Sequence, residues 1–437
     1  MKDFLDVKQD SSQVIPVTLD DYETMLNNWV LNYGYPFLGE VSSDDFYVKG
    51  VTWNNLSSAT QKNGYVWEKD IFQGESSLDW NQGFERILYA NFILEGVEKL
   101  SENESGEKEY HNVLGSALFI RGYNYFILSQ VFCDQYDEDT AAIKLGLPLR
   151  QSSNINLKYD RSSLLETVKF IESDLKRAAI LLPIIAKYNT LPSRMAAWAA
   201  LANLYLQMGK YQDAKIYADS LLQVNKNIID YNNIDVNVNL PFPRTGQGNE
   251  EVIFYSQMNN ATILSNSRLI VDSLLYDSYL SSDLRKNAFF YNNAGVYTFK
   301  GHYSGLTANY FCGLTVPEIL LIRAECYARL GEVEGALLDL NTLLKNRYKK
   351  EDFEPVNRIS HITLLPIILN ERRKELVFRG KRWGDLKRFR KEGLLKEGLI
   401  RHIENNIFEL PLNSSKWILP IPQDVVNIGG LLPNIRN

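Results

Sequence analysis

Arg194-Met-Ala-Ala-Trp198-Ala-Ala-Leu201-Ala202-Asn-Leu-Tyr205-Leu-Gln-Met-Gly209-Lys-Tyr211-Gln-Asp-Ala214-Lys-Ile-Tyr217-Ala218-Asp-Ser-Leu221-Leu222 is the stretch whose reading decides the fold. Trp198, Leu201, Ala202 and Tyr205 fall at i, i+3, i+4 and i+7, one apolar stripe of a helix. Gly209 stands where a left-handed cap would end it. Ala214, Ala218, Leu221 and Leu222 form a second stripe, and the small residues at 202, 214 and 218 allow two antiparallel helices to approach closely. Tryptophan, leucine, a small residue, tyrosine, glycine and alanine at these offsets form the tetratricopeptide signature. Ala324, Tyr327, Gly331 and Ala336 repeat Ala202, Tyr205, Gly209 and Ala214, each 122 residues further on. That separation argues against neighbouring places in a tandem array. It predicts one helical scaffold interrupted by a long excursion, the natural place for function.

Outward from this hairpin, the chain divides by pattern. Residues 1–79 comprise an extended lead over 1–20, a first helix carrying Tyr22, Leu26, Trp29 and Val30 on one stripe, and a long aromatic loop region over 31–79 with Trp53, Asn54, Tyr65 and Trp67. Long loops without helical period are often functional. Residues 80–224 read as helical hairpins, with a polar break at Ser101 to Lys108. Ser163 and Glu166 form a capping box for a helix that runs to Pro183. Residues 225–314 hold a strand-like Glu251 to Ser256, a short helix from Leu269 to Leu280, and an aromatic run over 289–311. Residues 315–390 return to helical hairpins, opened by a Thr315/Glu318 box with Pro317 beside it. Residues 391–437 form a C-terminal loop segment.

Several function classes lose support here. The net charge of −6 speaks against a nucleic-acid surface. No apolar run approaches the roughly 20 residues of a transmembrane helix. Cys133, Cys312 and Cys326 lack disulfide or metal spacing and read as buried small residues. His111, His302, His361 and His402 also lack ligand spacing, and nucleophile-elbow, phosphate-loop and zincin motifs are missing, so no metal, cofactor or catalytic residue is assigned. A glycosidase carboxylate pair could come from distant positions, though nothing points to one. The acidic Asp134 to Asp139 loop reads as solvated rather than as a Ca²⁺ site, since it lacks the glycine and ligand spacing of an EF-hand. On the helix through Leu365, Ile368, Leu369 and Leu376, the charges Arg372, Glu375 and Arg379 share the apolar face. This reads as an internal ion-pair cluster rather than a phosphate or substrate clamp.

Four motifs carry a family likeness: Tyr276 with Asp283-Leu284-Arg285; Glu318 to Gly331 with Ala336, Leu340-Asn341 and Arg347; Glu371 to Leu386; and Ile418-Leu-Pro420-Ile-Pro422-Gln423-Asp424. With them, nearly end to end, the chain resembles the SusD/RagB family of Bacteroidetes surface lipoproteins. The opening Phe4-Leu5-Asp6 looks like the mature start of such a protein. Arg379, at a usually acidic position, Gly384, at a usually aromatic one, and the tail from Asn427 to Asn434 depart from the pattern. The resemblance implies a mainly α fold: a tetratricopeptide-like hairpin scaffold with loop-rich, short-strand insertions forming the ligand face, as a single SusD-like unit over 1–437. It also implies a non-catalytic protein on the outer membrane that captures an oligosaccharide and passes it to a SusC-like TonB-dependent transporter. The lipid anchor would sit on a cysteine about where Met1 stands, and is absent from this chain.

For the binding surface, Trp29, Trp80, Trp198 and Trp383 are expected in the core, and Trp417 begins an apolar run. Trp53, Tyr65, Trp67, Tyr291, Tyr297 and Tyr303 are the expected sugar platforms, because a flat ring packs on the CH face of a sugar. Asn54, Asn292 and Asn293 are their hydrogen-bonding neighbours. Peptide capture by the same architecture and a tetratricopeptide adaptor for a protein partner are the alternatives. The adaptor is disfavoured because Arg194, Lys210 and Lys215 lie off the groove stripe.

Overall fold

The computed structural model describes residues 16–100, 106–243, 248–357 and 360–437. The extended lead as far as residue 15, including Phe4-Leu5-Asp6, and residues 101–105 of the expected polar break lie outside the described residues. The frame is built from α1 (Leu19–Leu26), α2 (Leu78–Val97), α3 (Glu107–Phe132), α4 (Leu164–Leu181), α5 (Arg194–Gln207) and α6 (Tyr211–Val224). After the insertion come α7 (Val316–Arg329), α8 (Val333–Lys345), α9 (His361–Glu375) and α10 (Arg382–Lys391). From α2 to α6 each helix packs on the next in sequence, and α7 packs on both α8 and α9. The mainly α, hairpin-built fold is the expected one. No described helix is long and apolar enough to cross a membrane.

The deciding stretch folds as its pattern requires. Alanine is the strongest helix former, and α5 carries five. Gly209 adopts φ +73° and Gly331 φ +81°, where a Cβ would be strained. Lys210 N–H donates to Tyr205 O at 2.9 Å and Glu332 N–H to Tyr327 O at 2.8 Å. Both helices thus end in the same Schellman closure. Ala202, Ala214, Ala218, Ala324 and Ala336 are all sealed, so larger side chains there would wedge the helices apart.

One expectation fails at the level of packing. The two signature hairpins are neighbours in space, because α6 packs directly on α7. Arg323 on α7 bonds Asp219 on α6 at 2.9 Å, and Lys215 bonds Glu332 at 2.6 Å. The excursion leaves the frame after α6 and returns beside it, so distance along the chain says nothing of adjacency. The insertion is clasped at its base by Val252–Phe254, paired antiparallel with Leu314–Thr315. Only residues 270–271 and 273–277 of the expected helix over 269–280 are regular, as a short strand and a helical turn. The strand pairs with Phe46–Tyr47 and joins the insertion to the first loop region.

The capping box at Ser163 and Glu166 forms, with Ser163 N–H donating to Glu166 at 2.8 Å. The one at Thr315 does not. Pro317 occupies the first turn, and Glu318 turns away to Lys381 at 3.1 Å. All three cysteines are buried and free. The acidic loop after α3 is met by basic side chains, Asp134 by Lys144 at 2.6 Å and Asp137 by Lys391 at 3.1 Å.

The charges on the apolar face of α9 form the expected internal cluster. Glu375 takes Arg347 at 2.9 Å and Arg285 at 3.2 Å, Arg347 also bonds Glu251 at 2.7 Å, and Lys374 bridges Asp283 and Glu371, each at 2.8 Å. Arg372 meets Asp385 at 2.8 Å. The guanidinium partners hold the Asp283, Glu375 and Asp385 carboxyls below their ordinary range, against the opposing effect of burial. Arg379, expected on the same helix face, lies past the end of α9 at Glu375; its guanidinium lies 3.7 Å from the Tyr303 ring centroid, a cation on an aromatic face. Most of these residues belong to three of the four motifs that carry the family likeness, whose charged members therefore serve the structure.

Candidate functional site: two clefts beside one loop

The expected platforms divide sharply. Trp67 is fully buried, its Nε1–H donating to Ser42 O at 3.0 Å, and Tyr65 is sealed beneath it. Arg401 comes from a hairpin of Leu399–Ile403 with Asn406–Leu410, inside the C-terminal segment expected to be loop, and lies 4.2 Å from the Tyr65 ring and 5.1 Å from the Trp67 ring while bonding the Phe46 and Ser43 carbonyls. Tyr303 is also sealed, its hydroxyl donating to Glu251 and lying 2.9 Å from that of Tyr231. These three rings are core and cannot meet a ligand. Each polar tip is paired: Trp67 with the Ser42 carbonyl, Tyr65 at the end of the helical turn Ala59–Tyr65 with the Val48 N–H at 3.2 Å, and Tyr303 with Glu251.

The other six lie at or near the surface, without forming one patch. Half-buried Trp53 donates to Lys62 O at 2.9 Å and packs 5.8 Å from Phe408, and Asn54 donates to Glu404 at 2.9 Å. Tyr291, Asn292, Asn293 and Tyr297 sit on a hairpin of Phe290–Asn293 with Val296–Phe299. Its two turn residues, Ala294 (φ +52°) and Gly295 (φ +91°), make the mirror-image turn that suits strand twist. Asn292 accepts the Gly295 N–H at 2.9 Å, so it serves the turn first. Tyr297 stacks on Tyr276 with centroids 3.7 Å apart.

Trp29 is the largest correction. Expected in the core, it is 68% exposed, alone among the seven tryptophans on the exposed side. The helical stripe ends early because α1 stops at Leu26. Asn28 then accepts the Val30 N–H at 3.1 Å and starts a separate 3₁₀ turn, Trp29–Leu31, which loses the helical phase. Leaving about 140 Å² of indole in water forgoes roughly 3 kcal/mol of burial. The ring stands edge-on to Tyr33, centroids 5.5 Å apart.

Hydrogen bonds from buried side chains tie down the segment behind it. Sealed Arg86 donates to Tyr33 O at 2.7 Å and to Asn124 at 2.6 Å. Asn32 donates to Thr190 O at 2.9 Å and Tyr255 O at 2.8 Å.

Trp29, Tyr33 and Asn27 form one wall of a cleft of about 440 Å³, whose other side includes Thr190, Tyr255 and Ser304. A second cleft of about 140 Å³ is lined by Asn239, Asn266, Tyr291, Lys300, His302 and Thr307. The two share the 302–307 loop, with Ser304 and Leu306 facing the first and His302 and Thr307 the second. Buried Tyr303 nails that loop to Glu251, and through Glu251 to the Arg347–Glu375 pair of the frame. His302 is buried against Phe299 and Tyr310, and burial pushes its pKa down to about 4, so the ring is neutral. Among the described residues neither lining includes a carboxylate. Among the described residues no three His, Cys, Asp or Glu side chains are grouped to hold a metal ion.

Flat rings beside amides and hydroxyls, on a pinned backbone, suit a ligand with alternating apolar CH faces and hydroxyl edges. Reading the sequence missed Trp29, Tyr33, Lys300 and His302. The Asn27-Asn28 pair, a turn signal directly after the helix, was the available clue.

Comparisons with known proteins agree with this architecture. A SusD-like family model described as "Starch-binding associating with outer membrane" matches residues 3–206, and the SusD family model matches residues 316–432. No curated protein matches the chain in sequence. Among solved structures, a SusD superfamily protein from Bacteroides thetaiotaomicron aligns with TM-score 0.75 and 23% identity over 96% of this chain and 100% of that one. A putative sugar binding protein from Bacteroides vulgatus aligns with TM-score 0.75 and 22% identity, covering 97% and 99%. A SusD-like carbohydrate binding protein, also from Bacteroides vulgatus, aligns with TM-score 0.71 and 19% identity, covering 94% and 96%. With the two family models spanning both the N-terminal half and the C-terminal helices, and the motif residues forming the buried charge cluster, the chain belongs to the SusD/RagB family.

Proposed function

We propose that this protein captures an oligosaccharide at the outer membrane, on the face divided by the 302–307 loop, and passes it uncleaved to a SusC-like TonB-dependent transporter. A lipid anchor is proposed to hold it there, as the family resemblance implies. The observation that carries the reading is Trp29, an indole held in water above a cleft of amides and hydroxyls by a backbone that buried Arg86 and Asn32 keep in place. Such preorganisation lowers the entropy that binding must overcome. Among the described residues neither lining offers a carboxylate, which supports binding without turnover, since glycoside cleavage canonically uses a pair of them. The outer-membrane description of the matching family model supports the location.

The test is calorimetry of the wild type and Trp29→Ala against oligosaccharide and peptide pools. Truncating a central aromatic anchor costs about 2 kcal/mol, roughly a 30-fold loss of affinity. Trp29 is exposed, so the melting temperature should stay within about 1 °C. Unchanged oligosaccharide affinity in the variant would refute the platform. Binding of peptides alone would replace the sugar with a peptide ligand. Co-purification with a SusC-like barrel tests the transfer step, and failure to associate with any such barrel would refute it.

A further inference from the structure

The smaller cleft holds a buried cation and a buried imidazole that the rest of the protein leaves incompletely paired. Lys300 is 5% exposed, and its Nζ donates to Val236 O at 3.0 Å and Val238 O at 2.8 Å. An ammonium has three donors, so one remains. Among the described residues no carboxylate stands within ion-pair distance of Lys300; Asp235 acts on it only from further away. Lys387 is also held by carbonyls, at 2.9 and 2.6 Å, but it is sealed at 1% exposure and lines neither cleft. Lys300 lines an open one.

His302, 2% exposed, lines the same cleft with neither ring nitrogen hydrogen-bonded. An unpartnered buried polar group is costly, and a ligand that pairs with it relieves that cost. A neutral imidazole offers one donor and one acceptor, which suits a hydroxyl. Asn239, Asn266 and Thr307 add amides and a hydroxyl, and Tyr291 adds a half-buried ring. At about 140 Å³ the cleft holds several times the roughly 30 Å³ share of a water molecule, room for a carboxylate and part of the ring bearing it.

We propose that this cleft is an acid-selective subsite, in which Lys300 pairs with the carboxylate of a uronic-acid residue while His302 and the amides take its hydroxyls. The inference rests on the oligosaccharide reading and names its substrate class: acidic glycans.

The test uses the full chain on an array of uronate-containing oligosaccharides, each printed beside its carboxyl-reduced, neutral counterpart, with titration of the strongest pair. The wild type should bind the acidic form at least tenfold more tightly than the reduced one. That preference should shrink somewhat as salt rises, but less than for an exposed pair, because Lys300 is buried and screened less. Lys300→Met should bring the acidic form down to the reduced one, Lys300→Arg should restore part of the preference, and Trp29→Ala should weaken both forms together. If Lys300→Met unfolds, hydrogen–deuterium exchange of the wild type decides: slowed exchange at 300–302 with the acidic form but not the reduced one supports the subsite, and equal exchange with both overturns it. Equal, salt-insensitive binding of both forms would overturn the acidic subsite and leave oligosaccharide capture standing. A preference that Lys300→Met leaves unchanged would place the carboxylate elsewhere and overturn it too. Binding of neither form, with binding of acidic peptides instead, would overturn both readings.

Discussion

Removing the charge of Glu375 tests whether the family motifs act as a buried brace. Glu375 is fully buried between Arg347 and Arg285. Around it, Arg285, Arg347, Lys374 and Arg379 balance Glu251, Asp283, Glu371 and Glu375. Glu375→Gln keeps the shape and leaves one uncompensated positive charge. Breaking a buried pair costs about 3–5 kcal/mol. The lower end applies, because Arg347 retains Glu251 and Arg285 retains Asp283 and Glu371. With an unfolding entropy of about 2.1 cal/mol/K per residue, a chain of 437 residues loses about 1 °C per kcal/mol, so the melting temperature should fall by about 3 °C. Calorimetry of Glu375→Leu, Arg347→Met and the double variant completes the cycle. The double variant should be less destabilised than the sum of the singles by about 1–3 kcal/mol. A fall below 1 °C for Glu375→Gln, or strict additivity, would refute the brace.

Two further substitutions probe the frame. Ala294→Asn puts a residue that tolerates positive φ into the turn where alanine sits at +52°, and should gain about 1 kcal/mol, read as a rise of about 1 °C on thermal melting. Glu40 is buried and faces Asp45, which together push its carboxyl from 4.5 up to about 8. Its folded value lies above its unfolded one, so its stabilising contribution is complete below about pH 4.5 and is lost as pH rises to about 8. Glu40→Gln should therefore melt progressively higher than the wild type across that window, with a constant difference above it. A difference independent of pH would show that Glu40 is ionised in the folded protein.

What the sequence revealed depended on the range of the interaction involved. The closures at Gly209 and Gly331 and the capping box at Ser163 are local, and their residues specify them completely. The charge cluster was readable because Glu375 and Arg372 break an apolar stripe on a single helix. Tyr65 and Trp67 could not be placed, because Arg401, which lies over both rings, is more than 330 residues away. The packing of α6 on α7 was hidden for the same reason: the insertion between them returns to its starting point. Trp29 failed in the opposite way. It satisfied a helical period, yet the helix ended three residues earlier at Leu26, and periodicity counted past a helix end has no structural meaning. The aromatic run over 289–311 pointed to the right part of the chain but the wrong side chains. Its rings mostly pack inward, while Lys300 and His302 among them line the smaller cleft.

Hydrogen–deuterium exchange with and without a bound acidic oligosaccharide tests the central claim most directly, because it locates the ligand without altering a residue. The account predicts slowed exchange in residues 27–33 and 300–309, on both sides of the shared loop, with residues 50–67 unchanged. Protection confined to 50–67, or to the helical frame away from both clefts, would contradict it.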